Sequence, residues 1–354
     1  MIEPVNEDIC KDEILKNIDE VADVFAFADD QLLTLAAAGV ITPLKDADQI
    51  REDNYENTVQ AASINEKLYA YPMTADNGYY MYYNKKYFSE EDVKTFDGML
   101  QAAGKADKKV AMDWSSGWYL YSFFGNTGLT LNLNDDMITN TCNWNSKEGD
   151  IKGVDVATAM SAIARNKAFT NVSDDGFLAG VRDGSIVAGV SGMWNAVHLQ
   201  KAWGDDYGAV KLPTYTVNGK QVQMASYAGY KMIGVNAYSK EYIWADRLAR
   251  FITNEKNQML RFKQRQQGPS NKVAGESEEV KASIAIQALM SQLQYSQLQR
   301  VGETYWLPAR NLGIALAEGN LSPDEMQKAL DKMVQENSGI AVQLKEEAAI
   351  FKQI

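Results

Sequence analysis

The spacing of apolar residues along this chain changes period repeatedly, and each change predicts an element. Residues 11–22 carry apolar positions at helical spacing. They run into Val24-Phe25-Ala26-Phe27, a short apolar stretch that predicts a buried strand. Asp29-Asp30 follows, placed to cap a helix over 31–38 that Gly39 ends. Leu68-Tyr69-Ala70-Tyr71-Pro72 predicts a strand closed by proline, and Asp76-Asn77-Gly78 predicts a turn before a second strand at 79–83. Helices are expected at 90–103, 117–125, 154–166, 176–183, 240–265, 276–299 and 324–337. Strands are expected at 109–112, 185–190, 207–212 and 231–235. Such alternation predicts an α/β architecture with largely parallel sheets.

Composition narrows the picture. At 354 residues, two domains are the natural expectation. Hydrophobic residues make up 45% and charged residues 23%, enough apolar material for full cores. No run approaches the length of a membrane span, and Met1-Ile2-Glu3-Pro4 has neither the basic nor the apolar region of a secretory signal. The net charge of −12 argues against nucleic acid, which needs a basic face. His198 is the sole histidine, which disfavours Ser-His-Asp hydrolases and His-rich zinc sites. Neither a metal nor a cofactor is expected. Cys10 and Cys142 lie far apart, and two buried thiols are the simpler expectation over a disulfide. The informative surplus is aromatic: 18 Tyr, 11 Phe and 7 Trp, several within short polar stretches. Tyr and Trp join a flat apolar face to a polar tip, and sugars present apolar C–H faces with hydroxyl rims.

The order of several stretches then matters. Ala22-Asp23-Val24-Phe25-Ala26-Phe27-Ala28-Asp29-Asp30 is followed by Gly39-Val40-Ile41-Thr42-Pro43-Leu44, Lys67-Leu68-Tyr69-Ala70-Tyr71-Pro72-Met73 and Tyr82-Tyr83-Asn84-Lys85. Later come Val187-Ala188-Gly189-Val190-Ser191-Gly192-Met193-Trp194, Gln267-Gly268-Pro269-Ser270 and Tyr305-Trp306. In this order and spacing the chain resembles the extracellular solute-binding protein family that contains the maltose-binding proteins. The resemblance implies a two-lobed periplasmic-binding-protein-like fold, with ligand in a cleft between lobes that close about a hinge of crossing strands. The first lobe would comprise 1–75 and 231–275, the second 79–228 and 276–337. The family opens with a strand, a helix and a strand before the segment matching Ile2-Glu3-Pro4, and that opening is missing here. Residues 341–354 have the amphipathic look of the family's first helix. They are either that helix moved to the end or an appended one, and in the first case would pack on the first lobe through Val342, Leu344, Ala348 and Phe351.

Site residues follow from the resemblance, each beside a structural alternative. Trp194 and Trp306 match ring-stacking positions, against core packing. Trp118 and Tyr119 match an aromatic pair near the sugar. Helical spacing puts Trp118 and Tyr121 on one face and Tyr119 elsewhere, so at least one is core; Trp114 is a third choice. Asp30 and Asp76 match carboxylates that accept hydrogen bonds from sugar hydroxyls, against a helix cap and a turn residue respectively. Asn77 would share the role of Asp76. Phe27 matches an aromatic position that also suits strand core, and Gln31 stands where some members carry a base. Tyr230 faces either a cleft or the core.

The function implied is the substrate-binding component of a carbohydrate ABC importer, capturing maltooligosaccharides. Its expected partners are an oligosaccharide and membrane permease subunits, with the chain a monomer. It would act outside the cell, periplasmic or held to the surface as a lipoprotein. The alternatives are a glycoside hydrolase, for which Asp30 and Asp76 would supply paired carboxylates, and a binder of another oligosaccharide or of a different solute.

Overall fold

A computed structural model describes residues 1–6, 9–18 and 20–339. The chain forms two compact units. The first gathers 1–78, 192–197 and 228–287; the second gathers 79–191, 198–227 and the described residues from 288 onward. Residues 192–197 and 276–287 therefore group with the first unit, whereas the expected lobes put them in the second.

In the first unit, Val24–Ala28 lies antiparallel to the strand Ser226–Val235, with Val24 opposite Val235 and Ala28 opposite Lys231. Phe25 and Phe27 are buried and Ala26 between them is exposed, the period of two a half-covered strand demands. The two rings pack with Leu32, Leu35, Val40, Ile41 and Met232. A second cluster joins Tyr71, Ile233 and Val235 to Ala245 and Ala249, small residues that let the helix Tyr242–Thr253 approach the sheet closely.

In the second unit, Lys109–Met112 runs parallel to Phe169–Asn171 and to Ile186–Gly192. Tyr207–Val210 lies antiparallel to residues 81–84. Beside them pack Gly117–Phe124, Gly153–Ala164, Trp306–Ala317 and Pro323–Asn337. Gly313 is required where helix Trp306–Ala317 crosses the chain at Trp114, because an added Cβ would overlap the Trp114 carbonyl.

Several expectations are corrected. The sheets are mixed rather than largely parallel. No turn forms at Asp76-Asn77-Gly78; Tyr71–Asn84 is one continuous strand. Asn77 and Gly78 pair with Gly229 and Ala228, so tertiary pairing overrides the local turn preference. The helix expected over 240–265 is two, because the Asn254 side chain accepts from Asn257 N and starts Glu255–Arg265 afresh. The first helix stops at Lys16, short of 22. The stretch 276–299 divides into Glu278–Lys281, Ile284–Leu293 and the strand Ser296–Leu298. Cys10 and Cys142 are free thiols. Residues 341–354, with the packing face expected for them, lie outside the described residues.

Candidate functional site

Of the expected residues, the second unit holds Trp118, Tyr119 and Trp306. Helix Gly117–Phe124 starts one residue before Trp118, and helix Trp306–Ala317 starts at Trp306. These two starts are neighbours. A Cβ on Gly117 would lie 3.3 Å from the Trp306 carbonyl oxygen and 3.0 Å from Ala309 Cβ. The Tyr305 hydroxyl donates to the Gly117 carbonyl at 2.7 Å. Glycine at 117 is what allows this approach, so two tryptophans distant in sequence come from adjacent helix ends.

Behind them lies a layer of buried phenols. Tyr79 packs edge-on against Trp118 and Tyr119, with ring centroids at 4.6 and 4.9 Å. Its hydroxyl donates to the Trp118 carbonyl at 2.7 Å and accepts from Tyr227 N and Ser122 Oγ, both at 3.3 Å. Tyr121 stacks on Tyr227 at 4.3 Å, and Tyr227 in turn packs against Trp306 at 6.2 Å. Trp118 and Trp306 are half-buried while Tyr79, Tyr119, Tyr121, Tyr227 and Tyr305 are buried. Burial pushes the Tyr119, Tyr227 and Tyr305 phenols well above their ordinary pKa, so they stay neutral.

Orientation is fixed by side chains as well. Trp118 Nε1 donates to Gln299 Oε1 at 3.1 Å. Ser191 Oγ donates to Asp174 Oδ1 at 2.6 Å, and the Tyr119 hydroxyl reaches Asp174 Oδ2 at 3.4 Å. Trp114, the third choice among the aromatics, is fully buried against Phe123 and Phe169 and serves the core.

The remaining residues belong to the first unit. Trp194 is half-buried, in the short helical turn Met193–Asn195, with the Lys231 ammonium 5.8 Å from its ring centroid. Gly192 precedes it where any Cβ would overlap the Trp194 ring and come within 2.7 Å of Gly78 O. Asp76 is buried in the strand Tyr71–Asn84, and its Oδ2 accepts from Gly268 N at 2.7 Å. Arg261, whose own pKa is lowered by burial, senses the Asp76 charge. Asn77 is buried opposite Gly229.

Asp30 is half-buried and does not cap a helix: the next helix, Leu32–Ala37, has Gln31 at its N-cap and no side-chain cap bond. The neighbouring Asp29 holds Tyr230 N at 2.9 Å. Gln31 Oε1 accepts from Lys11 N at 3.0 Å. Phe27 is 1% exposed within the core. The Tyr230 hydroxyl accepts from Asn57 Nδ2 at 2.8 Å.

Sequence reasoning missed Tyr79, Tyr227 and Gln299, and placed Tyr121 on the helix face of Trp118 without giving it a role. Tyr79 was visible only as the start of an expected strand. Nothing in the sequence announces that Gln299 meets Trp118. Among the described residues, no group of His, Cys, Asp and Glu is arranged to hold a metal, and no helix is long and apolar enough to cross a membrane.

A galactooligosaccharide-binding protein of Bacillus subtilis (strain 168) is 26% identical over 344 residues, 90% of this chain and 76% of that protein. The maltodextrin binding protein MalE1 from L. casei BL23, solved without ligand, is 26% identical with a TM-score of 0.79, over 95% of this chain and 89% of that one. A structure solved with acarbose is 31% identical with a TM-score of 0.83, over 95% and 88%. The model of bacterial extracellular solute-binding proteins matches residues 12–288. The chain therefore belongs to the bacterial extracellular solute-binding protein family, whose members bind solutes and are not enzymes, which sets the hydrolase reading aside.

Proposed function

We propose that this chain is the oligosaccharide-capturing component of a carbohydrate ABC importer, taking maltooligosaccharides. The observation that carries the reading is the pair of half-buried indoles, Trp118 and Trp306, set on adjacent helix ends over a layer of buried tyrosines. A rigid aromatic surface backed by neutral phenols suits an uncharged ligand with flat apolar faces. Trp194 supplies a further stacking face, and Asp30, Asp76 and Asn77 accept from or donate to sugar hydroxyls. Tyr119 supports Trp118 from behind. Phe27 and Gln31, both buried, act on the sugar by holding the Asp29-Asp30 segment in place.

In this reading the loaded protein, a monomer, meets permease subunits at the membrane. It works outside the cell or in the periplasm, anchored to the surface as a lipoprotein in the former case. The maltodextrin-binding and acarbose-bound relatives support an α-glucan. The Bacillus subtilis relative favours a second reading, galactooligosaccharides. Calorimetric titration with maltose, maltotriose, longer maltooligosaccharides and galactooligosaccharides tests both. Heat released by maltotriose but not by galactooligosaccharides is the expected result. The converse transfers the assignment to the second reading, and silence with every sugar overturns the function.

A further inference from the structure

One surface of the first unit has nothing to do with the residues above. On helix Tyr242–Thr253, Ala245 and Ala249 face the sheet, while Ile243, Trp244, Leu248 and Phe251 are 68%, 65%, 48% and 62% exposed. At 100° per residue these four share one arc with Arg247, and that arc holds no acidic residue. The Arg247 guanidinium lies 4.9 Å from the Trp244 ring centroid, so the cation sits within the apolar patch. The adjoining helix Glu255–Arg265 adds an exposed Leu260 with exposed Lys256 and Lys263 on the same side of its axis, Lys263 being paired with Glu279 at 3.3 Å. Exposed apolar residues scattered singly need no explanation, but a contiguous set with a tryptophan at its centre does.

Charge says what covers it. The chain as a whole carries −12, yet residues 240–265 hold seven Lys or Arg against three Asp or Glu. A second copy of the chain would set one cationic face against another. The face also offers a sparse hydrogen-bonding pattern: its polar groups are the cations Arg247, Lys256 and Lys263, all donors, whereas a protein interface of useful size carries about one hydrogen bond per 100–200 Å². A bilayer surface demands no such pattern. It accepts Trp, Phe, Leu and Ile at the headgroup level and attracts cations when its lipids are anionic. We propose that this face docks the first unit on an anionic phospholipid surface, holding a binding protein of an extracellular family close to the membrane that receives its cargo. The proposal does not rest on the sugar assignment.

The test is co-sedimentation of the full chain with vesicles of phosphatidylcholine alone and of phosphatidylcholine mixed with phosphatidylglycerol. The expected result is binding to the mixed vesicles, weakened by salt, and none to phosphatidylcholine alone. Trp244→Glu and Arg247→Glu should each lower the partition coefficient by about tenfold. Both side chains are exposed, so melting temperature and sugar affinity should not move, which keeps this result separate from that of the proposed function. Absence of binding to the mixed vesicles, or binding that both variants retain, overturns the proposal. So does a dimer by light scattering that Trp244→Glu dissociates while vesicles stay bare, which would make the face an interface between copies.

Discussion

Removing one oxygen atom tests the aromatic layer most directly. Tyr79→Phe leaves the ring in place between Trp118 and Tyr119 and deletes a fully buried hydroxyl with three partners. The bond to the Trp118 carbonyl at 2.7 Å is short and should be worth about 1 kcal/mol net, and the two at 3.3 Å about 0.5 kcal/mol each. With no methylene lost there is little cavity cost, so the sum is about 2 kcal/mol. At about 2.1 cal/mol/K of unfolding entropy per residue, that lowers the melting temperature by about 3 °C if all 354 residues unfold together. Loss is larger if the second unit melts alone, because fewer residues share the entropy. The hydroxyl also ties the backbone of Trp118 to that of Tyr227, the ring behind Trp306. Oligosaccharide affinity should therefore fall roughly threefold to tenfold, less than truncation of an indole would cause. Calorimetric melting and sugar titration on wild type and variant read both effects. A melting temperature within 1 °C of wild type would refute the energetic reasoning. A loss of stability with affinity unchanged would refute the link between this layer and the ligand.

Trp118→Ala and Trp306→Ala should each cost roughly 1–3 kcal/mol of binding with the fold intact; unchanged titrations in both would remove the stacking assignment. Gly192→Ala should weaken binding by displacing the Trp194 ring, and near-ultraviolet circular dichroism should register the movement; an identical spectrum and affinity would contradict the crowding. Stability should be flat through neutral pH and fall above pH 10. Tyr82, Tyr119, Tyr227 and Tyr305 are held well above the ordinary 10.0 by burial, so their contribution is full below the unfolded value and is lost as pH rises past it. At the acid end, hydrogen bonds from Ser89, Thr139 and Ser185 lower Asp92, Asp136 and Asp183 below 3.8. Their contribution is present above that value and lost as pH falls beneath it. Denaturant melts at several pH values check both limbs, and a stability that rises above pH 10 would refute the first.

Legibility in the sequence followed the range of the interaction. Val24–Ala28 was readable because a short unbroken apolar run bounded by polar residues already marks a buried strand. Helix Pro323–Asn337 was expected within one residue of its observed start, where Ser322 and Glu325 form a capping box from four consecutive positions. Asp76-Asn77-Gly78 misled because its local preference for a turn is genuine, and only the strand contributed by Ser226–Val235 cancels it. The site divided the same way. Trp118, Trp194 and Trp306 stood out by residue type and by family position. Their supports did not, since Gln299 reaches Trp118 across 181 positions and Tyr227 reaches Tyr79 across 148. A contact of that separation leaves no periodicity to read.

Stacking alone cannot decide between the two sugar readings. An indole face grips any ring with a run of axial C–H bonds, and a hydrophobic contact rejects a misplaced hydroxyl only weakly. Glucose and galactose units differ in the direction of a single hydroxyl, so discrimination must fall to polar groups that cannot move to accommodate it. Asp76 is such a group. It is buried, its Oδ2 is held by Gly268 N at 2.7 Å, and it lies in a strand rather than the flexible turn expected for it. A carboxylate so fixed presents its lone pairs in set directions, and a hydroxyl pointing elsewhere would meet it poorly. Asp76→Asn should therefore compress the ratio between preferred and disfavoured oligosaccharide more than it lowers affinity for either. The measurement is the ratio of dissociation constants for maltotriose and a galactooligosaccharide in wild type and variant. An unchanged ratio, with both affinities reduced alike, would move selectivity away from Asp76 and back to the shape of the aromatic surface.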